Sequence, residues 1–143
     1  MSSAYESADL LLKLYELRRE PTMRQARQWY ATFHPGSADD IAAVLRSEHS
    51  AYFRMVTSFW EMAASLVNHG AIDEQMFNDA NGEQIFVFAR LEPFLAEYRA
   101  KPGHSHYLGQ LEQLILRMPD APERLAGMRD YIRAMAAART AGV

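Results

Sequence analysis

The chain has 143 residues, of which 49% are hydrophobic and 23% charged, and its formal net charge is −3. This length predicts one domain spanning residues 1–143, with a core that buries roughly 70% of the unfolded surface. The sequence contains no cysteine, which excludes disulfides, thiolate catalysis and cysteine-based zinc sites. The net acidic charge predicts no nucleic-acid partner, and acids interleave the basic cluster at residues 18–27.

The apolar residues are spread over many short runs. No run approaches the ~18 residues that would span a bilayer. The N-terminal segment carries acids and lacks the apolar run of a signal peptide. The expectation is a soluble, cytoplasmic chain without a membrane span.

The predicted elements are all helices, because no stretch alternates apolar and polar residues long enough for a strand. A capping residue followed three positions later by an acid or amide occurs at Ser3, Thr22, Ser37 and Asp120. Asp73 and Asn81 are expected to cap two further helices. The expected helices are 3–19, 22–33, 37–46, 48–69, 73–80, 83–99, 105–118 and 121–139. Short connections between them predict an all-α bundle of six to eight helices.

The segment 48–69 is the expected centre of the bundle. At 100° per residue, its apolar side chains cover about half of the helix circumference. Glu61 is expected on the opposite, polar side. Gly70 is predicted to end the helix in a left-handed conformation, with Ile72 making a hydrophobic contact behind it.

The predicted helix 83–99 carries apolar residues on two sides. One side is predicted to face the core, and the other carries Phe86, Arg90 and Phe94 along one line. Two interpretations remain open for this line. The helix is buried on both sides, or the line is a partner surface, since aromatic residues and arginine are favoured interface anchors. Pro93 predicts a kink, because it cannot donate a backbone hydrogen bond.

The histidines are the candidates for a metal site. His104 and His106 flank Ser105, the expected N-cap of helix 105–118, and side chains two apart on a helix point roughly 200° apart. The spacings H-x-x-x-H, E-x-x-H and H-E-x-x-H are absent from the sequence. The sequence therefore predicts no metal and no cofactor. His49, His69, His104 and His106 become ligands only if separate helices bring them together.

Motifs for other chemistry are missing. The sequence has neither a glycine-rich phosphate loop nor a G-x-S-x-G nucleophile elbow. Adjacent acids at Asp39 and Asp40 fall at a helix start, where they complement the helix dipole without a catalytic role. No catalytic residue is predicted, which favours a protein that is not an enzyme.

Three stretches, FWEMAASLVNHGAIDEQMF, IFVFARLEPFLAEYR and HYLGQLEQLI, carry a pattern within residues 48–115. The pattern is an aromatic–Glu pair at Trp60 and Glu61, a Gly-Ala-Ile-Asp turn at 70–73, and a late arginine at Arg99. In this pattern the chain resembles a broad group of uncharacterised bacterial all-helical domains. Many members carry an N-terminal membrane helix, which is not expected here. The resemblance implies a helical fold and a bacterial origin, and no activity.

Two functional hypotheses follow from different classes. The first is a non-enzymatic helical module that binds protein through Phe86, Arg90 and Phe94, with a second copy of the chain as the partner in a homodimer. The alternative is a small-molecule or metal-binding protein with a site between helices that uses histidine and glutamate side chains, among them Glu61 and His69. A closed pocket with converging polar groups would favour the alternative.

Overall fold

The computed structural model describes residues 2–142, which form eight α-helices and no strand. The helices are α1 (Ala4–Arg18), α2 (Pro21–Tyr30), α3 (Ala38–Val44), α4 (Ser50–Asn68), α5 (Glu74–Ala80), α6 (Glu83–Arg99), α7 (Gly109–Leu116) and α8 (Ala121–Thr140). The prediction of an all-α bundle of six to eight helices is confirmed. Within residues 2–142, none of the helices combines the length and the apolar character that a bilayer crossing requires.

Local capping signals place three helix starts as predicted. Ser3 and Glu6 form a reciprocal capping box, with backbone-to-side-chain distances of 3.0 and 3.1 Å. The Ser37 hydroxyl accepts a hydrogen bond from the first turn of α3, and the Asp73 carboxylate accepts one at 2.8 Å from the first turn of α5. Each of these bonds satisfies an N–H group that the helix itself cannot pair.

At two other helix starts, the capping residue differs from the prediction. Glu20, rather than Thr22, caps α2, and its carboxylate accepts a hydrogen bond from the Met23 N–H at 2.9 Å. Pro21 occupies the first helical position, where its missing N–H costs nothing. The N-cap of α6 is Gly82 instead of Asn81.

Asp120 precedes α8 as predicted, but its side chain makes no capping bond to that helix. The carboxylate instead accepts a hydrogen bond from Arg124 at 2.9 Å. The ion pair therefore replaces the predicted cap at this helix start.

The start of α7 is the largest difference. Its N-cap is Leu108 rather than Ser105, and Leu108 has a left-handed backbone with a φ of 56°. The N–H groups of Gln110 and Leu111 donate to the Glu61 carboxylate at 3.1 and 2.8 Å. Glu61, expected on the polar side of the central helix, is half-buried and caps α7 from α4. A local sequence pattern cannot predict a cap that a distant residue supplies.

The helix α4 lies at the centre of the bundle and packs mainly against α2 and α7. Its end follows the prediction: Gly70 has a φ of 81°, and the Ala71 N–H donates to the Leu66 carbonyl at 2.9 Å. Ile72 is buried behind this turn. The largest fully buried side chains are Trp60, Tyr98, Phe53, Phe77 and Phe88.

A charged cluster around Glu83 joins four helices. The Glu83 carboxylate accepts hydrogen bonds from Arg27 Nε at 2.9 Å and from Trp60 Nε1 at 2.9 Å. The guanidinium of Arg18 lies 3.9 Å from the same carboxylate and over the Trp60 ring. Two arginines of the basic cluster at residues 18–27 thus hold α1 and α2 to the rest of the bundle.

Candidate functional site

Arg90, in the middle of α6, is buried with 5% of its surface exposed. Its guanidinium lies over the rings of Phe86 and Tyr30, at 4.7 and 5.6 Å from their centroids. Nη1 donates to the Phe33 carbonyl and to Nδ1 of His34, the latter at 3.0 Å. Cation–π contacts and hydrogen bonds therefore hold this cation in one position between α6 and the end of α2.

Two nitrogen atoms of Arg90 have no protein partner. Nε and Nη2 are buried and form no hydrogen bond with any of residues 2–142. None of the ion pairs in this part of the chain includes Arg90. Burial lowers the pKa of Arg90, and the positive charge of Arg139 contributes in the same direction. A buried charge without a counter-charge destabilises a fold by several kcal/mol, roughly, so this arrangement calls for an explanation.

A cavity of about 320 Å³ lies beside Arg90, between α6, α8 and the segment 34–35. Phe94 of α6 and Ile132 of α8 are half-buried and form two of its apolar walls. Arg90 is one of the lining residues, and its atoms Nε and Nη2 are themselves enclosed by neighbouring protein atoms. The cavity combines an apolar wall with a buried polar group, which is the usual composition of a ligand site.

The other arginines of the cavity already have carboxylate partners. Arg129 Nη1 lies 3.3 Å from the Glu92 carboxylate. Arg133 pairs with Asp130 on the same helix. The rim charges are therefore compensated, and Arg90 is the lining cation that the described residues leave without a counter-charge.

His34 adds a second polar group to the cavity lining. Because Arg90 donates to Nδ1 of His34, that nitrogen is the acceptor and the ring proton lies on Nε2. Partial burial lowers the pKa of His34, and the charges of Arg90 and Arg139 lower it further. A neutral imidazole with an Nε2–H donor therefore stands beside the guanidinium. The sequence did not single out His34, because its partner lies 56 residues away along the chain.

The residues predicted as a partner surface lie together around this site. Phe86 and Phe94 are half-buried on either side of Arg90. The helix α8 packs against α6, and Phe94 shares the cavity lining with it. Part of the line is therefore covered within the chain, and a dimer formed through it stays a prediction. The helix α6 continues through Pro93 from Glu83 to Arg99.

The structure does not bring the histidine candidates together. His49 and His69 lie at opposite ends of α4, as its N-cap and C-cap. His104 packs against the ring of Tyr98, with a centroid distance of 4.6 Å. His106 lines an open groove beside the start of α7. Residues 2–142 contain no group of three or more histidine, aspartate and glutamate side chains placed to hold a metal ion.

The residues that carry the resemblance have structural roles. Trp60 donates to the Glu83 carboxylate, Glu61 caps α7, and Asp73 caps α5. Arg99 donates to the backbone carbonyl at position 107 at 2.8 Å and pairs with the carboxylate at position 112 at 3.0 Å. The pattern is therefore a signature of how α4 to α7 are held together.

Residues 3–118 match the model of one protein family, described as a domain of unknown function, DUF4760. The chain belongs to the DUF4760 family. The match includes the segment 48–115 and confirms the resemblance to an uncharacterised domain. No curated protein and no solved structure matches the chain. Arg90 lies within the DUF4760 match, whereas α8, the opposite wall of the cavity, lies beyond residue 118.

Proposed function

We propose that the chain is a non-catalytic helical binding protein that takes the anionic group of a ligand at Arg90, in the cavity between α6 and α8. The supporting observation is a buried guanidinium that has no carboxylate partner and two nitrogens without hydrogen bonds. Nε and Nη2 lie on one edge of the guanidinium, and this edge matches the two oxygens of a carboxylate or phosphate. For an anion to reach this edge, the side chains that enclose Nε and Nη2 must move aside. The anion then satisfies both donors and compensates the buried charge.

This proposal is a form of the small-molecule alternative drawn from the sequence, with different residues. The expected glutamate and histidine set is replaced by Arg90 and His34, both of which present N–H donors. Donors without an adjacent free carboxylate select against cations and favour anions. The neutral state of His34 suits the role, since it donates from Nε2 without adding a second buried charge.

Thermal unfolding at constant ionic strength tests the proposal, with sodium acetate, hexanoate or phosphate replacing sodium chloride. An anion that binds only the folded state raises Tm once its concentration exceeds Kd. We expect at least one of these anions to raise the Tm of the parent chain and none to raise that of an Arg90→Met variant. Arg124→Met is the matched control, because Arg124 is an exposed arginine of α8 that pairs with Asp120. Equal responses in all three proteins would contradict the proposal.

Self-association is a second candidate, and the exposed apolar residues of α1 favour it. Tyr5, Leu12 and Tyr15 are 90%, 65% and 53% exposed. Their spacings of seven and three residues place them on one stripe, the arrangement by which two helices pair. We propose a second copy of the chain as the partner, since two-fold dimers are the commonest oligomers of such proteins. The stripe lies on α1, whereas the sequence pointed to α6.

Light scattering after size exclusion separates the two dimer surfaces. We expect a dimeric parent chain, a folded monomer for Leu12→Glu and a dimer for Phe94→Glu, with circular dichroism reporting folding. If only Phe94→Glu gives a folded monomer, the interface lies on α6, along Phe86, Arg90 and Phe94, as the sequence predicted. A monomeric parent would remove self-association through either surface.

A further inference from the structure

We infer that the Arg90 cavity takes a small monocarboxylate with an apolar body, such as a short aliphatic or aromatic acid. The inference rests on the proposed function, because it assumes that Arg90 receives the anion. Three features of the cavity support it: the charge balance of the lining, the chemistry of the walls and the volume.

The charge balance favours one negative charge on the ligand. Arg129 and Arg133 are paired with Glu92 and Asp130, so their charges are already compensated. Arg139 is exposed on α8, so solvent weakens its charge at the cavity, although that charge still contributes to the lowered pKa of Arg90 and of His34. One buried cation thus remains to be matched. A phosphate monoester brings close to two charges at neutral pH, and the second would have no buried counter-charge.

The walls favour an apolar body attached to that charge. Apolar side chains line the space on all three bordering segments: Pro35, Ala89, Pro93, Phe94, Ile132 and Ala136. A carboxylate held at the guanidinium edge leaves the rest of its molecule against these side chains. Each buried methylene then raises affinity about fourfold, from the transfer free energy of a CH₂ group.

The volume limits the length of that body. A cavity of about 320 Å³ lies at the small end of the ~300–1,000 Å³ range of ligand sites. Gains from added methylenes should therefore stop when the chain reaches the cavity mouth. This limit separates a site for short acids from a surface for long-chain lipids.

Isothermal titration with acetate, butyrate, hexanoate, octanoate and benzoate tests the inference, with hexanamide and inorganic phosphate as controls. We expect affinity to rise about fourfold per methylene from acetate to hexanoate and then level off. Benzoate should bind at least as tightly as butyrate. Hexanamide should not bind, since it lacks the charge, and hexanoate should bind more tightly than phosphate.

Two substitutions on α8 locate the binding. Ala136→Trp places an indole in the cavity and should weaken hexanoate binding at least tenfold. Ala134→Trp makes the same change on the exposed side of α8 and should leave binding unchanged. Circular dichroism checks the fold of both variants. If Ala136→Trp does not fold, the chain-length series on the parent decides the question.

The outcomes distinguish this inference from the proposed function. Binding of acetate or phosphate that Arg90→Met abolishes, with no gain along the series, overturns the inference and leaves an anion site at Arg90. Phosphate binding tighter than hexanoate binding has the same meaning. If no anion binds in a manner that depends on Arg90, both proposals are wrong.

Discussion

Arg90 shows how one side chain is held in place without being neutralised. The aromatic rings of Tyr30 and Phe86 and the carbonyl of Phe33 fix the guanidinium, but none of them carries a full negative charge. Stability alone would favour an apolar residue at this position, because replacing a buried charge by a hydrophobic side chain is often neutral or stabilising. Arg90 therefore keeps a positive charge and two unpaired donors at a buried position.

The buried, unpaired charge of Arg90 leads to a prediction for the free energy of unfolding of Arg90→Met. We expect the variant to differ from the parent by less than about 1 kcal/mol, because the desolvation cost that it removes offsets the lost hydrogen bonds to the Phe33 carbonyl and to His34. Arg99→Met is the matched control: it breaks the pair with Glu112 and the bond to a backbone carbonyl. It should cost about 2 kcal/mol. Urea unfolding measures both, and a loss of several kcal/mol for Arg90→Met would show that Arg90 supports the fold.

At the scale of elements, α7 depends on α4 for its start. The carboxylate of Glu61 receives the N–H groups of Gln110 and Leu111, and Leu108 adopts a left-handed backbone to bring them there. Residues other than glycine seldom adopt this conformation, and the strain persists only where surrounding contacts enforce it. The interaction also completes one wall of the groove at His106.

Removing this cap should loosen α7. Glu61→Ala is expected to lower the free energy of unfolding by about 1–2 kcal/mol, the usual cost of losing a helix cap. Amide hydrogen exchange should accelerate first at Gln110 and Leu111, because their hydrogen-bond acceptor is lost. Glu123→Ala, at an exposed position in the first turn of α8, should change neither quantity measurably. Uniform acceleration across all helices would contradict a local capping role.

The helix α8 differs from the other helices in its family match and in its burial. It lies beyond the DUF4760 match, and its buried residues, Ala121 and Leu125, are confined to its first turns. Its later residues reach the cavity through half-buried side chains such as Ile132. Because few of its side chains are fully buried, we expect this part of α8 to open more readily than the core helices, which would admit a ligand to the cavity.

At the scale of the whole molecule, Glu83 joins α6 to the first two helices and to the centre of the bundle. Its carboxylate binds Arg27 and Trp60 directly and lies near Arg18. The cluster is partly buried, so solvent screens it less than a surface ion pair. It therefore couples the N-terminal helices to the core.

Glu83→Gln keeps the shape of this side chain and removes its charge. We expect the free energy of unfolding to fall by roughly 2 kcal/mol, since two partly buried arginines lose their counter-charge. Glu16→Gln is the matched control, because Glu16 forms an exposed pair with Arg19 and should cost less than about 0.5 kcal/mol. Urea unfolding of both variants measures the difference. Equal effects would show that the cluster contributes no more than a surface pair.

The sequence by itself determined the helical class and most helix boundaries, because the signals act over three or four residues. Ser3, Ser37 and Asp73 bond to N–H groups within one turn, and Gly70 ends α4 through its own backbone freedom. Apolar periodicity likewise identified α4 as the centre. These are short-range effects, and they appear wherever the local pattern occurs.

Only the tertiary structure decided how the notable polar side chains are used. Glu61 binds the first turn of α7, 49 residues away along the chain. Arg90 binds Phe33 and His34, which lie 57 and 56 residues away. The sequence marked Arg90 as a residue to explain, but it contained no sign that a carboxylate would be missing beside it. Burial and pairing depend on which distant segments pack together, and local patterns do not encode that packing.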